Sequence, residues 1–189
     1  MTVSAATNPI SSTKGVSGGY IYAAPVGTAL PTDITSTLNA AFVNLGKITD
    51  DGIVESVDTD SETKNDINGD PMYTTKSSRT EQAVFTLAEM DADVLKALYG
   101  PDNVTVATGL ITVKHNSKTI PPVSLVLELV LADDRRWRQV IPSATLTELG
   151  DLTILSSETA AREATFVFNA DESGNTAYDY IEDIPAASE

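Results

Sequence analysis

Ser124-Leu125-Val126-Leu127-Glu128-Leu129-Val130-Leu131, then Ala132-Asp133-Asp134-Arg135, then Arg136-Trp137-Arg138-Gln139-Val140-Ile141 is the stretch that decides the fold class. Leu125, Leu127, Leu129 and Leu131 fall on one face of an extended chain, and Ser124, Val126, Glu128 and Val130 on the other. That is the pattern of a half-buried strand. Ala132 to Arg135 reads as a turn without glycine. The chain then returns through Trp137, Gln139 and Ile141, which completes a hairpin. A period of two is at odds with a helix broken at Asp133.

The same alternation of β-branched and aromatic residues with polar ones recurs outward from this hairpin. It predicts strands or strand pairs at Tyr20 to Ala23, Ile53 to Val57, Tyr73 to Leu87, Val104 to Ala107, Leu110 to Lys114, Pro122 to Leu131, Trp137 to Leu146, Leu152 to Ser156 and Ala164 to Asn169. One helix is expected, Asp91 to Tyr99. Asp91 can cap it, Val94, Leu95, Leu98 and Tyr99 form its apolar stripe, and Gly100-Pro101 stops it. The fold class is therefore mainly β, a β-sandwich or small barrel with one flanking α-helix.

At 189 residues and 41% hydrophobic content the chain suits one domain with a sizeable core. The expected division is an N-terminal arm over 1–19, a β domain over 20–170 and a C-terminal arm over 171–189. Asp50 to Asp70 sets eight acids against Lys64 alone and is predicted to be a long acidic loop. The C-terminal arm carries Tyr178, Tyr180, Ile181 and Ile184, apolar area that a short acidic tail cannot bury alone; it is expected to order on another surface.

A net charge of -15 and a pI near 4.2 argue against a surface that grips nucleic-acid phosphates. With no cysteine, disulfides and thiolate metal sites are excluded. No apolar run is long enough for a membrane span, and residues 1–19 lack the apolar core of a signal peptide, so neither membrane nor visible export signal is expected.

Enzymatic and metal chemistry finds little footing. The one histidine, His115, stands among Lys114, Asn116, Ser117 and Lys118, a turn between strands without an orienting carboxylate. Asp58, Asp60 and Glu62, and then Asp66, Asn68 and Asp70, place oxygens at alternate positions but lack the closing glutamate of a calcium loop. Paired carboxylates are too abundant to single out a glycosidase, and Trp137 alone makes a poor aromatic platform. Gly15-Val16-Ser17-Gly18-Gly19 precedes no Lys-Ser/Thr helix start and is no phosphate loop. No catalytic residue, metal ligand or cofactor is assigned. Arg135, Arg136 and Arg138 form the one basic cluster, and an acidic protein partner suits it better than DNA in so acidic a chain.

Tyr20-Ile21-Tyr22-Ala23-Ala24-Pro25-Val26-Gly27-Thr28-Ala29-Leu30-Pro31 ends a strand at Ala24-Pro25 and bends at Gly27-Thr28 and Leu30-Pro31. A brief helix-like piece, Ile34 to Phe42, follows, then Leu45-Gly46-Lys47-Ile48-Thr49-Asp50-Asp51-Gly52. In order and spacing this resembles the major tail tube proteins of long-tailed bacteriophages, of the siphovirus type that infects actinobacteria. The resemblance continues through the basic return strand Arg135 to Arg138, Ile141-Pro142-Ser143-Ala144, and the closing Phe166-Val167-Phe168-Asn169-Ala170-Asp171-Glu172-Ser173-Gly174. It departs at the hairpin turn, where Asp133-Asp134 stands in place of the commoner glycine.

The resemblance implies a virion structural protein, assembled in the host cytoplasm, whose hexameric rings stack into a hollow tube for DNA passage during ejection. Its implied partners are further copies of itself and the tape measure, terminator and tail tip proteins. Within that reading the expected contacts are Asp60, Glu62, Asp66 and Asp70 between rings, Arg135, Arg136 and Arg138 between subunits, and Tyr178, Tyr180, Ile181 and Ile184 from the C-terminal arm. Glu128 and Glu163 are the candidate acids of the lumen. The alternative is a β-sandwich binding or adhesion module of a surface assembly, with a glycosidase-type enzyme third.

Overall fold

The computed structural model describes residues 13–16, 19–131, 134–152 and 160–183. Along them run β1 (Thr13–Gly15), β2 (Ile21–Pro25), β3 (Val43–Asn44), β4 (Ile48–Asn65), β5 (Pro71–Leu87), α1 (Ala92–Tyr99), a 3-10 turn (Pro101–Asn103), β6 (Val104–Ala107), β7 (Leu110–Val113), β8 (Val123–Leu131), β9 (Arg136–Leu152), β10 (Arg162–Phe168) and β11 (Tyr178–Ile181). Nine strands form one antiparallel sheet with the order β3-β2-β8-β9-β10-β5-β4. β1 joins along β8 and β11 along β9, while β6 and β7 pair apart. The fold is mainly β with a single short helix among the described residues, as the periodicity predicts.

The connection between β3 and β4 closes the sheet upon itself. These strands stand at opposite ends of the strand order, yet only Leu45, Gly46 and Lys47 separate them. Three residues reach little more than about 14 Å from Cα to Cα, so the two ends must approach each other. Leu45 is fully buried and donates its amide to Ile21 O at 2.9 Å, and Ile48 donates its own to the Tyr20 hydroxyl at 2.7 Å. Between them Gly46 has φ 75, and a Cβ there would lie 2.5 Å from Glu89 Oε2. The Leu45-Gly46 pair is thus the seam of a barrel-like roll.

The interior of the roll is built from the alternating residues. Leu125 and Leu127 of β8, Ile141 of β9, Phe166 of β10 and Phe85 of β5 are buried together, with Phe85 and Phe166 stacked at 5.4 Å between ring centroids. Helix α1 closes one side with Val94, Ala97 and Leu98. It begins where expected, because Asp91 Oδ1 accepts from the amides of Asp93 and Val94 at 3.0 and 2.9 Å, and it stops at Gly100, φ 86. The β8–β9 hairpin also holds, with Leu129 opposite Trp137 and Leu127 opposite Gln139; the non-glycine turn is accommodated by Asp134 at φ 64.

Three expectations are corrected, and a fourth falls mostly outside the described residues. The centre of β8 is buried on both faces, because Val126 belongs to a second cluster with Ala24, Phe42 and Val140, covered by Leu30 and Leu38 of the 26–42 segment and by Tyr178 and Tyr180. Residues 34–42 form bends and turns with no helix. Asp33 caps the amides of Thr35 and Ser36, each at 2.6 Å, but the Thr/Ser run after it favours local side-chain bonds over helix, and Asn39 starts a second turn. The expected Leu152 to Ser156 strand is the end of β9 at Leu152; 153–156 lie outside the described residues. Finally, Asp50 to Asp70 is no loop. It is most of β4 and the turn that leads into β5.

Candidate assembly surfaces

β4 and β5 are paired from Ile53↔Phe85 out to Asn65↔Pro71. Where Ile53 and Phe85 meet, the pair lies against the core; from Val57 to Thr80 every residue is exposed except the half-buried Asp66. The outer part is therefore a two-stranded arm, residues 57–65 of β4 against 71–80 of β5, roughly 30 Å long at strand rise. Asp66 builds its tip by accepting from the amides of Asn68 at 2.8 Å and Asp70 at 2.9 Å, while Gly69 supplies φ 90. Those bonds hold Asp66 below the usual carboxylate range. Thr63 and Thr74 share a hydroxyl bond across the strands at 2.9 Å, Ser78 donates to Asp60 at 2.8 Å, and Glu62 takes the Lys64 ammonium. Two strands with no covered face are marginal in water by themselves. The arm also leaves Ile67 fully exposed, and Met72 and Tyr73 exposed at 65% and 55%.

The same half of the sheet has an outward face. Glu163 lies opposite Thr86, Thr165 opposite Val84 and Val167 opposite Gln82, with Val54 and Ser56 continuing the two rows onto β4. Glu163 is exposed, and its Cβ rests 2.9 Å from where a Cβ on Gly150 would stand. β4 itself ends the strand order, so its outer edge carries backbone groups without a neighbouring strand.

The basic cluster is redistributed. Arg138 is buried and ion-paired to Glu128 within its own subunit, so Arg138 is not the surface cation that was expected and Glu128 does not stand as a free acid. Arg135 donates to Glu182 O at 3.0 Å, and Arg136 pairs with the Glu182 carboxylate at 3.4 Å while remaining half exposed.

The C-terminal arm is corrected as well. Asp171 opens a turn by accepting from Ser173 and Asn175, and the chain returns to the sheet as β11, with Tyr178 opposite Val140 and Ile181 opposite Trp137. Tyr178 and Tyr180 pack on the second cluster of their own subunit, and the Asp179 carboxylate accepts from Trp137 Nε1 at 2.7 Å. Thr13 to Gly15 likewise pair with β8, so both expected arms contribute strands to the domain. Ile184 lies outside the described residues. His115 is an exposed loop residue whose ring meets Tyr99 edge-on at 4.8 Å.

A groove that no periodicity signalled lies between the bend after β2 and helix α1. Val26, Ala41, Val43, Ala97, Pro101 and Ile120 to Val123 line about 550 Å³, mostly apolar, with Asp93 and Lys96 the charged residues of the lining. Its signal in the sequence was the Ile120-Pro121-Pro122 run, which cannot be covered by a strand partner.

Comparison with known proteins concerns the chain as a whole. A family model described as "Phage tail tube protein" matches residues 8–188. No curated protein matches. Among solved structures, the cap of the anti-feeding prophage (AFP tube terminating cap) aligns at 12% identity and a TM-score of 0.45, covering 95% of this chain and 100% of that one. The sheath-tube complex of an extracellular contractile injection system (PVC) in its extended state aligns at 6% identity and 0.47, covering 88% and 92%.

Proposed function

The chain belongs to the phage tail tube protein family and is a structural component of a virion; from that premise we propose that its copies close into hexameric rings, which stack into the hollow tube through which DNA leaves at ejection. The observation that supports this best is the β4–β5 arm, a ribbon exposed from Val57 to Thr80 with apolar residues at its end and, beyond the Arg79–Thr176 bond at its base, no covering surface among the described residues. Asp60, Glu62, Asp66 and Asp70, all on the arm, would then meet the next ring.

The rest of the proposal follows from edges and charge. A long free edge such as β4 invites pairing with another chain, and in a closed ring each subunit covers the edge of the next. The outward sheet face with Glu163 is the proposed lumen wall; an acidic bore lets phosphate slide without sticking. With Glu128 neutralised inside the subunit, Glu163 carries that role. Arg136 can share its guanidinium with a carboxylate of a neighbouring copy, which offsets the repulsion between chains of charge -15. Arg135 stands beside it. Tape measure, terminator and tail tip proteins are the proposed partners at the tube's interior and ends, with assembly in the host cytoplasm.

Negative-stain microscopy of the concentrated, purified chain tests the proposal. Hollow tubes whose end-on averages have sixfold symmetry are expected; a chain that stays monomeric at every concentration and salt would overturn it.

A further inference from the structure

We propose that the tip of the β4–β5 arm seats in the apolar groove between the Pro25–Val26 bend, α1 and Ile120–Pro122 of a second copy of this chain. The inference rests on the tube reading above and names the receptor for the arm. Two independent complementarities carry it. The tip exposes Ile67 entirely and Met72 at 65%, and the groove is a mostly apolar concavity built by other elements of the chain. In charge, the apex from Asp66 to Asp70 bears two carboxylates and no cation. The loop that enters the groove at Ile120 bears exposed Lys114, His115 and Lys118 in a chain that is otherwise strongly acidic.

That basic loop is held at the groove's rim. Lys114 donates its amide to Asn103 O at 2.8 Å and Asn116 Nδ2 donates to Asn103 Oδ1 at 2.8 Å, so the loop is fastened to the 3-10 turn whose Pro101 lines the groove. The groove's own charged residues, Asp93 and Lys96, pair with each other at 3.0 Å, and Asp102, which follows Pro101 in the 3-10 turn, is exposed. The arm tip and the groove are two different patches of one subunit, built by β4–β5 and by the Pro25–Val26 bend with α1 and Ile120–Pro122, so the contact between copies is head-to-tail. Such a contact repeats from copy to copy and either closes a ring or extends a filament.

Because the chain has no cysteine, engineered thiols report without background. Full-length Ile67→Cys is mixed with full-length Val26→Cys carrying a mass tag, under conditions where the parent forms tubes, and oxidised. Both positions are exposed, and circular dichroism checks that each variant folds. The expected result is a mixed disulfide dimer on a non-reducing gel, absent when Val54→Cys on β4 replaces Val26→Cys. Adding Lys118→Glu to the tagged chain should lower the mixed dimer several-fold at low salt and little at high salt. Tubes that give no mixed dimer, or as much with Val54→Cys, overturn the docking and leave the tube reading standing; a parent that forms no tubes overturns both.

Discussion

Arg138 and Glu128 stand directly opposite each other on β9 and β8, and guanidinium Nε and Nη2 both reach Glu128 Oε1, at 2.8 and 2.7 Å. The remaining Nη1 donates to Asp33 O at 2.6 Å and Ser36 O at 2.8 Å, so one side chain ties the hairpin to the segment that covers the second cluster. Only 8% and 17% of the two side chains are exposed. Removing one partner of such a pair leaves a charge buried without compensation, which costs about 3 to 5 kcal/mol. Arg138→Ala should lose stability on that order in urea unfolding, and Glu128→Gln, which keeps an acceptor, should lose less. A variant Arg138→Ala as stable as the parent would show that the pair is not structural.

Glu55 predicts a pH dependence. Glu55 is exposed as a whole, but loss of water around its carboxyl beside the buried Gln139 raises that carboxyl above the ordinary range against the lowering effect of the Gln139 hydrogen bond at 3.1 Å, and Asp179 and Glu81 raise it further. A carboxyl whose pKa is higher folded than unfolded binds its proton more tightly in the folded state. Its charge therefore weakens the fold as pH rises through the folded pKa, and the penalty vanishes below the unfolded value. Glu55→Gln should raise the melting temperature at pH 8 and leave it unchanged at pH 4. An equal gain at both values would assign the effect to packing.

The cap of α1 is open to a simple check. Asp91→Ala should cost about 1 kcal/mol in thermal unfolding, because the amides of Asp93 and Val94 lose their acceptor at the helix start. Asp91→Asn should cost much less.

Proteolysis separates the two ends of the account. Tyr178 and Tyr180 lie in a paired strand over the second cluster, so chymotrypsin should spare them in isolated subunit and tube alike. Tyr73, exposed on the arm, should be cut in the subunit and protected in the tube. Rapid cutting at Tyr178 in the isolated subunit would contradict the packing of β11.

The body of the fold was legible because β5 and β10 have one face against a core, which writes a period of two into them, and because β8 keeps its leucines on one face although its centre is covered on both. The arm was not, since residues 57–65 are exposed on both faces and nothing forces alternation. Thr59 and Thr63 across from Arg79 and Thr74 were its fainter trace, β-branched residues in a stretch otherwise read as acidic loop. Arg138 was misread for a related reason. Taken as one of three neighbouring charges it looked like surface, yet a register counted outward from the turn sets 138 against 128. Tyr178 and Tyr180 alternate onto one face as expected, whereas Ile181 lies on the other and is 52% exposed; the apolar area of the tyrosines called for a surface to cover them without saying in which subunit.

The central claim is that the arm of one copy holds the next, and a single comparison tests it most directly. The full chain and a variant lacking Glu62 to Gly69 are concentrated side by side and viewed by negative-stain microscopy, with circular dichroism to verify that both are folded. The account predicts tubes from the full chain and folded, unassembled subunits from the variant; tubes of normal length from the shortened arm would contradict it.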